Sequence, residues 1–236
     1  AYQSYQFYTN KAVTKEYGGG NGLGVYQGLV DAFFMKNGLP KDDDNSKYVE
    51  EGFSTETETR STNWTGGTGQ KGEITAEGTY NMYCNREPRF YISVVYNEQY
   101  HWGKGKATNF FFNGEDGQPS HDNPSAGYLI RKHVDPTFVH STNTGSYKSR
   151  QGILYRLAEA YLSYAESALE YSIAKGTYDA DKTDIVKYID KIRERAGIPQ
   201  YAAGEKKLGI PTDPEEMRKL IRRERRVEMN CEGGLR

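Results

Sequence analysis

Apolar positions divide this chain into two stretches with different periods. Near residue 150 they begin to recur at steps of three and four. Leu154, Leu157, Ala158, Tyr161, Leu162, Ala165, Ala168 and Leu169 form one broad apolar face, which predicts a helix over 150–175 stopped by Gly176. Ile185, Ile189, Ile192 and Ala196 predict a second helix over 183–196, capped by Asp181 or Thr183 and ended by Gly197 and Pro199. A third begins at Asp213-Pro214-Glu215-Glu216, with Asp213 as N-cap, Pro214 in the first turn and Glu216 where a capping box wants it. It continues through Leu220, Ile221, Val227 and Cys231 to Gly233-Gly234. Leu154-x-x-Leu157-Ala158-x-x-Tyr161 has the first-helix spacing of a tetratricopeptide repeat, although no repeat period recurs along the chain.

Before residue 150 the pattern breaks into short runs. Gly28–Met35 reads as a helix turn or a strand, and Asn37-Gly38 followed by Pro40 marks a turn. Residues 41–79 are polar and show no periodicity. Phe90–Tyr96, aromatic and β-branched, is the best strand, with Phe110–Phe112 and Tyr128–Ile130 as shorter ones. The chain thus divides into a loop-rich part, 1–149, and a helical part, 150–236.

Composition narrows the function classes. Among 236 residues, aromatics reach 13%, which argues against a disordered chain, and no run of about 18 apolar residues exists to span a membrane as a helix. The formal charge of −1 weighs against a general nucleic-acid binder. Arg222, Arg223, Arg225 and Arg226 read as a solvated helix face paired with Glu224 and Glu228. Cys84 and Cys231 are two buried thiols or a single long-range disulfide. The start of the chain has neither the charged nor the apolar segment of a signal peptide, and it ends just past Gly234, so we expect a piece of a longer protein.

Sites of chemistry are sparse. His101, His121, His133 and His140 fall in no zinc or nucleophile-elbow motif. Gly18–Gly24 lacks the spacing of a phosphate loop and reads as a flexible loop. Asp42-Asp43-Asp44-Asn45 starts like a calcium loop but lacks its sixth-position Gly and twelfth-position Glu, so a weak structural calcium is the only cofactor in view. Asn63-Trp64-Thr65 is a formal glycosylation sequon. Carboxylates are plentiful enough for a glycosidase pair, but no two can be assigned to each other. Trp64 and the Tyr100-His101-Trp102 segment sit in polar, Gly-rich loops. Such rings either plug into a core or offer a flat face to a sugar, whose hydroxyls neighbouring polar groups would hold.

Five elements in order carry a family resemblance. They are Tyr26–Phe33 with Asn37-Gly38-Leu39-Pro40, then Asn85-Arg86-Glu87-Pro88-Arg89-Phe90-Tyr91, then Ile153–Leu162, then Arg193–Pro199, and finally Glu224–Gly233. Together they resemble the SusD/RagB family. The resemblance implies a mainly α fold, with tetratricopeptide-like helix pairs and an irregular, loop-rich ligand-binding part with a few short strands. It implies a non-catalytic cell-surface lipoprotein of the Gram-negative outer membrane. Such a protein binds a glycan or related nutrient and caps a SusC-like, TonB-dependent transporter, anchored by an N-terminal lipid. Glycoside hydrolysis and a protein-only helical scaffold are the alternatives. By the same resemblance Asn85, Arg86, Arg89, Glu159, Arg225 and Arg226 are structural, and this chain is the C-terminal part of a larger one. Trp64 is the first choice as ligand contact, Trp102 the second, with Tyr100 beside it.

Overall fold

The structure is a computed structural model that describes residues 24–101, 105–117, 126–132 and 153–232. The fold is mainly α. The described residues fall into two compact units, one drawn from Ala1–Val30, Tyr48–Arg86 and Phe90–Gly152, the other from Asp31–Lys47, Glu87–Arg89 and Ile153–Arg236. In chain order the helices are α1 (Gln27–Ala32), α2 (Pro88–Ser93), α3 (Leu157–Lys175), α4 (Tyr178–Ala196) and α5 (Pro214–Glu228), with a 3₁₀ turn at Asn81–Tyr83. Three two-stranded antiparallel pairs complete it: β1 (Glu58–Thr59) with β2 (Glu73–Thr75), β3 (Val94–Val95) with β6 (Leu129–Ile130), and β4 (Tyr100–His101) with β5 (Lys106–Ala107).

In the second unit α3 and α4 form a tight helical hairpin. Gly176 adopts the left-handed region at φ 68°, where glycine carries no Cβ penalty. Its N–H bonds Ile173 O and that of Thr177 bonds Ser172 O, the paired pattern that satisfies the last carbonyls of α3. The chain re-enters a helix at once, so α4 starts at Tyr178, earlier than the 183 its isoleucine stripe indicates. Apolar spacing marks only buried turns, and this first turn buries Tyr178 alone. Gly197 ends α4 in the same way, its N–H and that of Ile198 bonding Glu194 O and Arg193 O. The core between the helices holds Ala165, Leu169, Ile185, Val186, Ile189, Met217 and Ile221. Each of the larger side chains there contributes about 1.5–3 kcal/mol by leaving water.

The broad apolar face of α3 divides in two. Ala158, Leu162, Ala165 and Leu169 are buried, whereas Leu157 is 63% exposed and Leu154 98% exposed. Leu154 also precedes the helix, so it does not occupy the repeat position its spacing indicates. Arg156 explains the later start. Its backbone is extended, and its guanidinium grips the end of α5, with Nε 2.6 Å from Glu232 Oε2 and Nη2 2.6 Å from Glu228 O. A cation at a helix C-terminus also complements the helix dipole.

Asp213 caps α5 as expected, its carboxylate accepting the Glu215 N–H at 2.9 Å. Asp213→Ala is expected to lower stability by about 1 kcal/mol in chemical denaturation; an unchanged midpoint would refute the cap. The arginines of α5 depart from expectation. Glu224 and Glu228 are buried and face other elements. Arg225 instead pairs with Glu166 at 3.2 Å, and Arg223 with Asp42 at 2.8 Å. Arg225 thus makes a helix-to-helix ion pair with α3.

One expected strand is shortened and another is a turn. Phe90–Ser93 is helical, with Pro88 opening the turn, and only Val94–Val95 pairs as strand. Phe90, Tyr91, Ser93, Val94, Val95 and Tyr96 are all buried, so neither helical nor strand periodicity shows in this run. Phe110–Phe112 forms a turn. Tyr128–Ile130 does supply a strand, and residues 41–79, which lack periodicity, contain the β1–β2 pair. In the first unit Tyr83 stacks on Tyr96 at 4.4 Å and meets Tyr128 edge-on at 6.2 Å. Both cysteines are free thiols, Cys84 buried and Cys231 half-buried.

Candidate functional site

The loop between β1 and β2 holds Trp64, and its glycines determine what the indole meets. Gly72 N–H bonds Trp64 O at 2.7 Å and Gly67 N–H bonds Glu73 O at 2.9 Å, which folds the loop back on itself. A Cβ on Gly66 would lie 2.2 Å from Trp64 Nε1, so only glycine fits beneath the ring. Gly66 O accepts the Tyr100 N–H at 3.1 Å, and the Tyr100 ring lies over Gly69, where a Cβ would approach it to 2.8 Å. Gly69 sits at φ +92°, a conformation glycine adopts freely. One short glycine-rich loop thus brings together Trp64 and Tyr100, which are far apart in sequence. Trp102 lies outside the described residues.

Trp64 is half-buried, between the free platform and the core plug that the sequence left open. The Arg131 guanidinium carbon lies 4.0 Å from the indole centroid, a cation–π contact that covers one face. Burial pushes Arg131 down to about 9, so it stays charged at neutral pH against the negative face of the ring. Trp64 Nε1 is buried, and among the described residues no acceptor meets it. On the same loop Thr62, Asn63, Thr68 and Gln70 are all exposed hydroxyl or amide side chains. An apolar ring on a loop with such groups can stack on the C–H face of a polyol while they exchange hydrogen bonds with its hydroxyls.

The sequence offered no sign of Arg131, because its role depends on the β3–β6 pairing. The exposed Phe111 and Phe112 were also missed as site candidates. Their flanking Asn109 and Asn113-Gly114 were the available turn signal. In the second unit, a cavity of about 440 Å³ is lined by Leu39, Pro40, Tyr201, Ile210 and Arg223 among others. Beside it the calcium-like run is otherwise engaged: Asp42 pairs with Arg223, and Asp43 Oδ1 accepts the Asn45 N–H at 2.8 Å. Among the described residues no three His, Cys, Asp or Glu side chains group as a metal site. His121, His133 and His140 lie outside the described residues.

A model of the SusD family matches residues 1–235. The chain belongs to the SusD family. Among solved structures, a SusD-like protein from Bacteroides fragilis NCTC 9343 is 27% identical, with a TM-score of 0.60 over 93% of this chain and 36% of the other. A SusD-like carbohydrate binding protein from the same organism is 18% identical, with a TM-score of 0.53 over 88% of this chain and 33% of the other. This SusD-family chain thus spans about a third of the length of these solved chains. No curated protein matches it.

Three of the motif residues of this SusD-family chain are held by contacts within the fold. Asn85 adopts a left-handed φ of 56°, and its N–H bonds Glu58 Oε2 at 2.9 Å. Arg86 is fully buried, bonds Val30 O, and has Tyr48 and Phe90 rings 5.5 and 5.3 Å from its guanidinium carbon. Arg89 sits between Glu87, Glu224 and Glu228 at 2.6, 2.7 and 3.1 Å. Burial pushes Glu87 above the usual carboxylate range, against the pull of Arg89 and the Phe34 N–H.

Proposed function

We propose that this SusD-family chain belongs to a non-catalytic, lipid-anchored glycan-binding protein on the Gram-negative cell surface, which delivers its ligand to a SusC-like, TonB-dependent outer-membrane transporter. The loop-rich part, 1–149, carries the ligand site and the helical part, 150–236, supports it. Trp64, Trp102 and Tyr100 contact the sugar, and binding requires no cofactor. The observation that carries this reading is Trp64 on a glycine-rich loop against which Tyr100 packs, with exposed hydroxyl and amide side chains on the same loop. The fold shared with a SusD-like carbohydrate binding protein supports it.

Affinity electrophoresis of the full-length protein through gels containing starch, xylan, pectic galactan or mucin glycans tests it. Retardation by at least one polymer is expected, and Trp64→Ala should weaken it about tenfold, or ~1.4 kcal/mol. A wild-type protein retarded by none of them refutes glycan binding, and full retardation of the variant refutes the site. New reducing ends during incubation would instead identify a hydrolase.

A further inference from the structure

Phe111 and Phe112 are 60% and 75% exposed, and the structure around them holds them out. Their loop is closed by hydrogen bonds from Phe110 N–H to Asn97 Oδ1 at 2.7 Å, Asn109 N–H to Asp116 Oδ2 at 2.8 Å and Gly114 N–H to Phe111 O at 2.7 Å. Asp116 is buried in the turn. Gly114 and Gly117 permit its tightness, since a Cβ on either would lie 2.1–2.2 Å from Asn109 Oδ1 or Phe111 O. Phe110 anchors the base against Val95 and Leu129. Two large apolar rings are therefore kept in water by a well-bonded frame, at a cost the fold does not recover.

One segment touches both this loop and Trp64. Leu129 of β6 packs against Phe110, and two residues on, the Arg131 guanidinium carbon lies 4.0 Å from the indole centroid. The Arg131 N–H bonds Ser93 O at 2.8 Å, just past the β3–β6 pairing. Residues two apart in extended backbone lie roughly 7 Å from each other, so the base of the phenylalanine loop and the tryptophan rest on neighbouring positions of this segment.

We propose that Phe111 and Phe112 form a second aromatic contact for the same glycan, engaged only by chains long enough to reach past Trp64. This rests on the glycan-binding reading above. The surroundings favour a sugar over a protein partner. Lys106, Asn109, Asn113 and Glu115 are exposed around the two rings, so the patch is polar and interrupted, unlike the contiguous apolar centre of a protein interface. A pre-ordered loop also binds without an ordering cost.

The test uses the full-length protein and the polymer that retards it, followed by calorimetry with the di- to octasaccharides of that polymer. Phe111→Ala/Phe112→Ala is expected to lose about tenfold in affinity for the longer oligosaccharides and none for the disaccharide, with an unchanged melting temperature. Phe111→Tyr/Phe112→Tyr should restore binding. Equal affinity of the alanine variant for every length overturns the proposal while leaving glycan binding intact. So does an equal loss at every length, or loss of co-purification with a barrel transporter at unchanged glycan affinity. A wild-type protein that binds no glycan removes the proposal together with the reading beneath it.

Discussion

Arg193→Ala is expected to destabilise the protein by about 3–5 kcal/mol, measured by urea denaturation. The side chain is fully buried and completes a dense set of contacts. Nη1 bonds Glu224 Oε2 at 2.8 Å, Nε bonds Pro199 O at 2.7 Å and Nη2 bonds Gly38 O at 2.7 Å. Its guanidinium also lies 4.4 and 4.8 Å from the Tyr201 and Phe34 ring centres. Burial acts against its charge, but Tyr201 and Glu224 outweigh that and hold it above its ordinary range. Removing it leaves the buried Glu224 carboxylate to Arg89 and deprives two carbonyls of this donor. Arg193→Lys should recover little, because one ammonium cannot satisfy acceptors set out for a planar fork. A loss below about 1 kcal/mol for the alanine variant would refute this account.

Glu228→Gln is expected to lower stability at pH 7 by on the order of 3 kcal/mol, with a pH dependence that identifies the cause. Burial alone would raise the Glu228 pKa. Hydrogen bonds from Arg156 and Arg195, with the charge of Arg89, instead bring it down to about 2. A carboxylate with a depressed folded pKa stabilises above its unfolded value, near 4.5, and that stabilisation disappears as pH falls through the folded value. The gap between wild type and Glu228→Gln should therefore be full at pH 7, narrow below pH 4.5 and close near pH 2. Glutamine has the shape of the protonated acid, so packing is the same in both. A gap that persists unchanged at pH 3 would show that the side chain acts through shape and not through charge.

Both effects arise where sequence reading was weakest. Glu224 and Glu228 sit among Arg222, Arg223, Arg225 and Arg226 in the sequence, which suggests local pairing on one helix face. They instead pair with Arg89, Arg193, Arg156 and Arg195, which fold in from other segments. Local spacing cannot reveal this, since it describes one helix and carries no information about what covers it. Phe90–Tyr96 failed for a related reason. Burial of six of its seven residues, all but Ile92, blurs both periods, and the Pro88 start is the remaining pointer to a helix.

The sequence by itself determined the helical unit and the family. Apolar steps of three and four, Gly176 and Gly197 as stops and Asp213-Pro214 as a start are local features. Their energetics depend on residues within a turn or two, so they survive translation into structure. The five ordered motifs identified the SusD family for the same reason, being contiguous strings. Only the tertiary structure decided which aromatics share a surface. Trp64 meets Arg131, Tyr100 packs on the glycine loop that carries Trp64, and Phe110 meets Leu129, all between segments distant in the chain, and such proximity leaves no periodic trace in any one of them.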